Sequence, residues 1–160
     1  EQILALHPQG VLLSNGPGDP VDNTAIIQET ANLFEAKIPM MGVCLGHQLM
    51  ALARGAQTEK LPFGHRGANQ PVKDKETGRV SITSQNHGYT VRPDSLPDCA
   101  SLRFLNCNDG TCEGIVYRDA PAFSVQFHPE ACAGPHDTAY LFDDFLKLVH
   151  HSESEGSPCR

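Results

Sequence analysis

Five residues, Gly42-Val43-Cys44-Leu45-Gly46, place a thiol between two glycines. They join an apolar run, Ile38 to Val43, to an amphipathic run that ends at Gly55. Glycine, any residue, nucleophile, any residue, glycine between a strand and a helix is the pattern of a nucleophile elbow. The strand-to-helix turn is so sharp that neighbouring side chains would collide, and the glycines remove the clash. The thiol is then expected at an exposed strand tip and at a helix start, where free N–H groups and the helix dipole favour an anion. An ordinary thiol titrates near pH ~8.5. Lowering that value by about two units is worth roughly 2.7 kcal/mol, and a helix start plus a histidine are expected to supply it. The N–H of Leu45 would face an oxyanion beside the sulfur.

A thiol nucleophile requires a base. Among eight histidines, His128 in Phe127-His128-Pro129-Glu130 fits best. It ends an alternating strand-like run, and Pro129 keeps it extended. Glu130, two residues on, can sit beside the ring and orient it. Cys44, His128 and Glu130 are therefore expected as nucleophile, base and orienting carboxylate. His87, in Ser84-Gln85-Asn86-His87-Gly88-Tyr89, is the rival base. His47 follows the elbow inside a helix and reads as structural, and His150 and His151 read as solvated residues at the end of the last helix.

Ser14-Asn15-Gly16-Pro17-Gly18-Asp19-Pro20 is rich in glycine but lacks the G-K-[ST] and G-x-G-x-x-G patterns of phosphate loops. Its glycines allow backbone N–H groups to approach a substrate closely. No Cys/His spacing supports a metal site. Cys99, Cys107, Cys112 and Cys132 read as packing residues.

The elements that must position these groups follow from periodicity and turn signals. Gly10 to Ser14 reads as a buried strand, Asn23 to Ala36 as a helix with Ile27, Ala31 and Phe34 on one face, Ile38 to Val43 as a second strand, and Gly46 to Arg54 as a second helix. Such alternation predicts an α/β fold: an open, mostly parallel sheet with helices on both faces. Leu61 to Gly78 reads as loop. Short strands are predicted at 79–83, 88–91, 101–106, 114–118 and 122–127, at spacings that suit a small antiparallel section. Ala139 to His150 reads as a docked helix with Leu141, Phe142, Phe145, Leu148 and Val149 on one stripe and Asp137 as its N-cap.

Bulk properties bound the function. The chain has 160 residues, a net charge of −7, 39% apolar and 19% charged residues. This suits a globular domain, expected over 1–150, with a mobile tail over 151–160. The absence of a Lys/Arg cluster argues against nucleic acid and anionic membrane as partners. The six cysteines contain no C-x-x-C pattern. They read as free thiols in a reducing cytoplasm.

Taken together, the GVCLGHQ, FHPE and SNGPGD segments resemble the triad-type, class I glutamine amidotransferases. Phe63 to Val72, Thr83 to Tyr89, Asn108 to Ile115 and Ala133 to Thr138 narrow the resemblance to the glutaminase domain of the carbamoyl phosphate synthetase small subunit, over Gly10 to Val149. The resemblance implies a flavodoxin-like core and hydrolysis of L-glutamine through a glutamyl thioester on Cys44, with an oxyanion between the N–H groups of Leu45 and Gly18. It implies a glutamine pocket lined by Gly16, Gly18, Leu45, Gln48, Asn86, Gly88 and Tyr89. It also implies a partner, the large synthetase subunit, which receives the ammonia for carbamoyl phosphate in arginine and pyrimidine biosynthesis. No cofactor is expected in this chain, ATP and magnesium belonging to that partner.

Two departures stand out. The family places a β-α-β unit before the first strand read here, so a truncated, marginally stable and self-associating domain is expected. Cys132-Ala133 stands where the family carries a small polar residue and proline. The competing readings are the glutaminase of another synthetase, such as anthranilate or GMP synthase, a stand-alone thiol hydrolase, and a catalytically weak fragment serving as an interaction module.

Overall fold

A computed structural model describes residues 2–131 and 137–155. After a short helix α1 (Gln2–Ala5), the chain forms β1 (Val11–Leu13), α2 (Thr24–Glu35), β2 (Met40–Val43) and α3 (Leu45–Ala53). There follow β3 (Thr58–Asp74), β4 (Val80–Val91), β5 (Ala100–Asn106), β6 (Cys112–Tyr117), β7 (Ala122–Val125) and α4 (Tyr140–Glu155).

All seven strands belong to one sheet in the order β1-β2-β7-β6-β5-β3-β4. β1–β2 and β2–β7 are parallel, and the other four pairings are antiparallel. The α/β class is as expected, but the antiparallel section is larger than the sequence suggests. The cause lies in the middle of the chain. Leu61 to Gly78, which reads as loop, is mostly the 17-residue strand β3. The predicted strands 79–83 and 88–91 are one strand, β4, that runs straight through Asn86-His87-Gly88. β3 is broken by register shifts between Lys60 and His65 and between Gly67 and Gln70. These irregularities accommodate the Pro and Gly residues that look like loop in the sequence.

Helices cover both faces. Leu33 and Phe34 of α2 and Met50 and Ala51 of α3 pack with Met40, Ile115 and Tyr117 of the sheet. On the other face Leu141, Phe142, Phe145 and Leu148 of α4 pack over Met41, Val43, Phe123 and Val125. The apolar stripe of α4 is the predicted one. The helix starts at Tyr140 and continues to Glu155, into the expected tail. Asp137, expected as its cap, faces the N–H of Ile82 at 3.4 Å. The 132–133 departure and residues 156–160 lie outside the described residues. β1 is an edge strand of this sheet, with Leu12 exposed. Among the described residues no helix is long and apolar enough to cross a membrane.

Candidate active site at the parallel sheet edge

The elbow forms where β2 ends and α3 begins. The Cys44 N–H donates to the Val125 carbonyl at 2.9 Å, which continues the parallel pairing of β2 with β7 by one residue. Its backbone then breaks into φ +54°, ψ −104°, a conformation that costs an L residue about 1–3 kcal/mol. Both glycines are sterically required. A Cβ on Gly42 would lie 2.8 Å from the Gly46 backbone, and one on Gly46 would strike the carbonyl of Leu13 in β1.

His128 lies three residues beyond the end of β7, which runs parallel beside β2, so the topology brings Cys44 and His128 to the same C-terminal end of these strands. The His128 N–H donates to the Ser84 carbonyl of β4 at 2.9 Å. Its Nδ1 is 2.7 Å from Glu130 Oε1. Glu130 itself is exposed, while the His128 side chain is largely covered.

Cys44 lines a cavity of about 390 Å³. Its walls include all seven residues expected around glutamine: Gly16, Gly18, Leu45, Gln48, Asn86, Gly88 and Tyr89. Asp19, Lys60, Arg66 and His87 also line it; of these the sequence singles out only His87, as the rival base. Arg66 sits on the part of β3 that reads as loop, and Lys60 lies just before it at the first register shift, so no periodicity points to them.

The expected low thiol pKa is not found. Burial pushes Cys44 up to about 11, and the carboxylates of Glu130 and Glu113 push the same way. Hydrogen bonds to the sulfur from the Leu45 backbone and the Gln126 side chain oppose the rise without cancelling it. The expectation weighs only the helix start and a histidine. It omits desolvation, which dominates because the residue is 5% exposed rather than presented at an open tip.

His87 has partners at both ring nitrogens. Its Nδ1 lies 2.8 Å from the Tyr89 carbonyl and its Nε2 2.9 Å from Gln85 Oε1. Burial pulls its pKa down to about 4. His47 is structural as expected: it is fully buried, its Nδ1 is 2.8 Å from Ser124 Oγ, and burial lowers it to about 3. His150 and His151 are exposed at the end of α4. Cys99, Cys107 and Cys112 are free thiols; Cys112 is buried and Cys107 exposed.

Behind the Asn86–Tyr89 wall lies a polar cluster that the sequence does not reveal. The fully buried Glu113 of β6 accepts from Asn106 Nδ2 of β5 at 3.1 Å and from Gln85 Nε2 of β4 at 3.0 Å. His65 of β3 bridges Gln85 Oε1 at 3.0 Å and Asp109 Oδ2 at 2.8 Å. Glu113 and Asp109 hold its pKa up at about 9. His65, His87 and Glu113 are of metal-ligand type and close together. Each already has a hydrogen-bond partner within the cluster or beside it.

The class-I glutamine amidotransferase family model matches residues 1–148. The carbamoyl phosphate synthase small chain of Akkermansia muciniphila is 56% identical over 155 residues, an alignment covering 97% of this chain and 41% of that protein. The same-named protein of Methanocaldococcus jannaschii is 55% identical, over 92% of this chain and 42% of its own. The chain thus spans about two-fifths of the length of these relatives. Two solved structures share the fold. A Thermoplasma acidophilum protein described as a GMP synthase component superposes with a TM-score of 0.77 at 21% identity, covering 92% of this chain and 75% of that one. A Thermotoga maritima glutamine amidotransferase gives 0.64 at 23%, covering 90% and 70%. The elbow, the sheet that carries it and the match over nearly the whole chain make this protein a member of the class-I glutamine amidotransferase family.

Proposed function

We propose that this chain hydrolyses L-glutamine to glutamate and ammonia as the glutaminase portion of a carbamoyl phosphate synthase small chain, with Cys44, His128 and Glu130 as its triad. The observation that carries the reading is the cavity that joins Cys44 to all seven expected glutamine contacts. Because burial keeps the resting thiol protonated, the sulfur loses its proton as it attacks. His128, oriented through Nδ1 by Glu130, takes that proton on Nε2 while the sulfur bonds to the side-chain amide carbon. The tetrahedral oxyanion lies against the N–H groups of Leu45 and Gly18. Collapse breaks the carbon–nitrogen bond, and His128 returns the proton to the leaving ammonia. Water, deprotonated by His128, then attacks the thioester carbon and glutamate departs as the thiol is restored.

The ammonia is passed to a large synthetase subunit, which supplies the ATP-dependent chemistry. Ammonia release from glutamine by the purified protein, with and without that subunit, tests the reading. Alkylation of Cys44 by a glutamine-like chloroketone should abolish release. Release that survives complete modification of Cys44 would overturn the triad. Capture of an anthranilate or GMP synthase partner instead would overturn the assignment to carbamoyl phosphate synthesis.

A further inference from the structure

A chain of side-chain amides leads from the pocket wall to the sulfur. The Tyr89 backbone carbonyl can only accept, and Gln48 Nε2 lies 2.8 Å from it. That contact fixes which end of the Gln48 amide is the donor. The same Nε2 is 2.9 Å from the side-chain amide of Gln126, so Gln126 must present its oxygen there. Its nitrogen is thereby turned toward Cys44 Sγ, at 3.7 Å. Gln126 is wholly buried, and its backbone N–H is bound to the Glu113 carbonyl at 2.9 Å, so its side chain is held from both ends. An amide directed at a sulfur in a desolvated site favours the anionic sulfur over the neutral one, since a thiolate is the stronger acceptor.

We propose that Gln126 is a catalytic residue of the glutaminase reaction: its side-chain amide stabilises the thiolate of Cys44 by a direct hydrogen bond, and Gln48 links that bond to the Tyr89 wall of the substrate pocket. The inference rests on the reading of Cys44 as nucleophile. Substrate that presses on Gln48 therefore bears on the sulfur through two hydrogen bonds, and substrate that presses on Tyr89 through three.

The test is the pH dependence of Cys44 alkylation by iodoacetamide, followed by peptide mapping, in the parent and in Gln126→Met. Methionine keeps the bulk and cannot donate. The midpoint is expected to rise by about one pH unit, which makes alkylation at neutral pH roughly tenfold slower. Glutamine turnover should fall mainly in kcat, with KM little changed. A folded Gln126→Met protein whose midpoint matches the parent overturns the proposal. Should Gln126→Met fail to fold, Gln48→Met removes the donor that orients the Gln126 amide. A midpoint raised in Gln48→Met supports the proposal, and an unchanged one overturns it. The midpoint is read on the sulfur alone. It is therefore distinguishable from failure of the triad reading, which would show as glutamine hydrolysis persisting in Cys44→Ser.

Discussion

The parallel strands β1, β2 and β7 and the antiparallel strands β6, β5, β3 and β4 are buried by different means. Met40, Met41, Val43, Phe123 and Val125 make the parallel part almost wholly apolar, and its chemistry is confined to the strand ends where Cys44 and His128 emerge. The antiparallel part buries Glu113, Gln85, His87, Asn106 and Thr83, and these face one another rather than solvent. One part holds the reacting atoms on a rigid apolar support. The other shapes a wall from interlocked polar groups. An apolar support tolerates a change at the reacting atom. A polar cluster does not tolerate the loss of a member, because each buried donor or acceptor left alone costs its full desolvation.

Substitutions should separate the two. Cys44→Ser is expected to lower ammonia release by at least about 10⁴-fold with melting temperature and circular dichroism unchanged; a large loss of stability would show that the elbow is not a passive support. His128→Ala should cost about 10²–10⁴-fold in kcat, and Glu130→Ala less, since the ring can still reach the sulfur without its carboxylate. Steady-state kinetics check both, and equal losses would mean that Glu130 does more than orient. Across the sheet, Glu113→Ala should leave Asn106 Nδ2 without its carboxylate, Gln85 Nε2 with Thr83 alone and His65 with only Gln85 and Asp109. The expected cost is about 3 kcal/mol of stability, read by denaturant titration, together with a raised KM for glutamine.

The smallest effect is on pH dependence. His65 is held up at about 9 from 6.5, so its contribution is full below pH 6.5 and lost as pH rises through 9. His47 and His87 are depressed from 6.5 to about 3 and about 4, so theirs is present above pH 6.5 and lost as pH falls toward those values. The combined contribution of these three histidines should therefore be largest near pH 6.5, their shared unfolded value. Replacing His65 by Gln should flatten the alkaline limb and, by removing a charge that helps depress His87, soften the acid limb to a smaller extent, changes that thermal melts across pH would detect.

The same contrast decides what can be read from the sequence. The elbow is legible because its requirement is local: glycines at 42 and 46 answer contacts within a few residues and with one neighbouring strand. The His128-Pro129-Glu130 segment is legible for the same reason. β3 is not, because Pro62, Gly64, Gly67 and Pro71 mark a loop unless the bulges and the β4 partner are known. Asn86-His87-Gly88 likewise has turn composition inside a paired strand. Gln126, Glu113 and His65 gain meaning only through partners on other strands. The sulfur's environment is hidden because desolvation is a property of the assembled sheet, whereas a helix start can be seen in a pentapeptide.

Among the described residues β7 is the last strand in sequence, yet it lies in the middle of the sheet, between β2 and β6. During synthesis β2 must therefore wait for residues as distant as Val125 before it gains its second neighbour. Such non-local closure is slow and leaves strand edges open in the meantime. Until it occurs, Cys44 lacks the Val125 carbonyl and the Gln126 amide that hold it in place, and it lacks the covering that makes its thiol hard to ionise. The nascent chain thus carries an ordinary, readily oxidised thiol, and the finished domain does not. Oxidative damage at this position should fall on chains still being made, so the period of vulnerability is set by the rate of translation rather than by the lifetime of the enzyme.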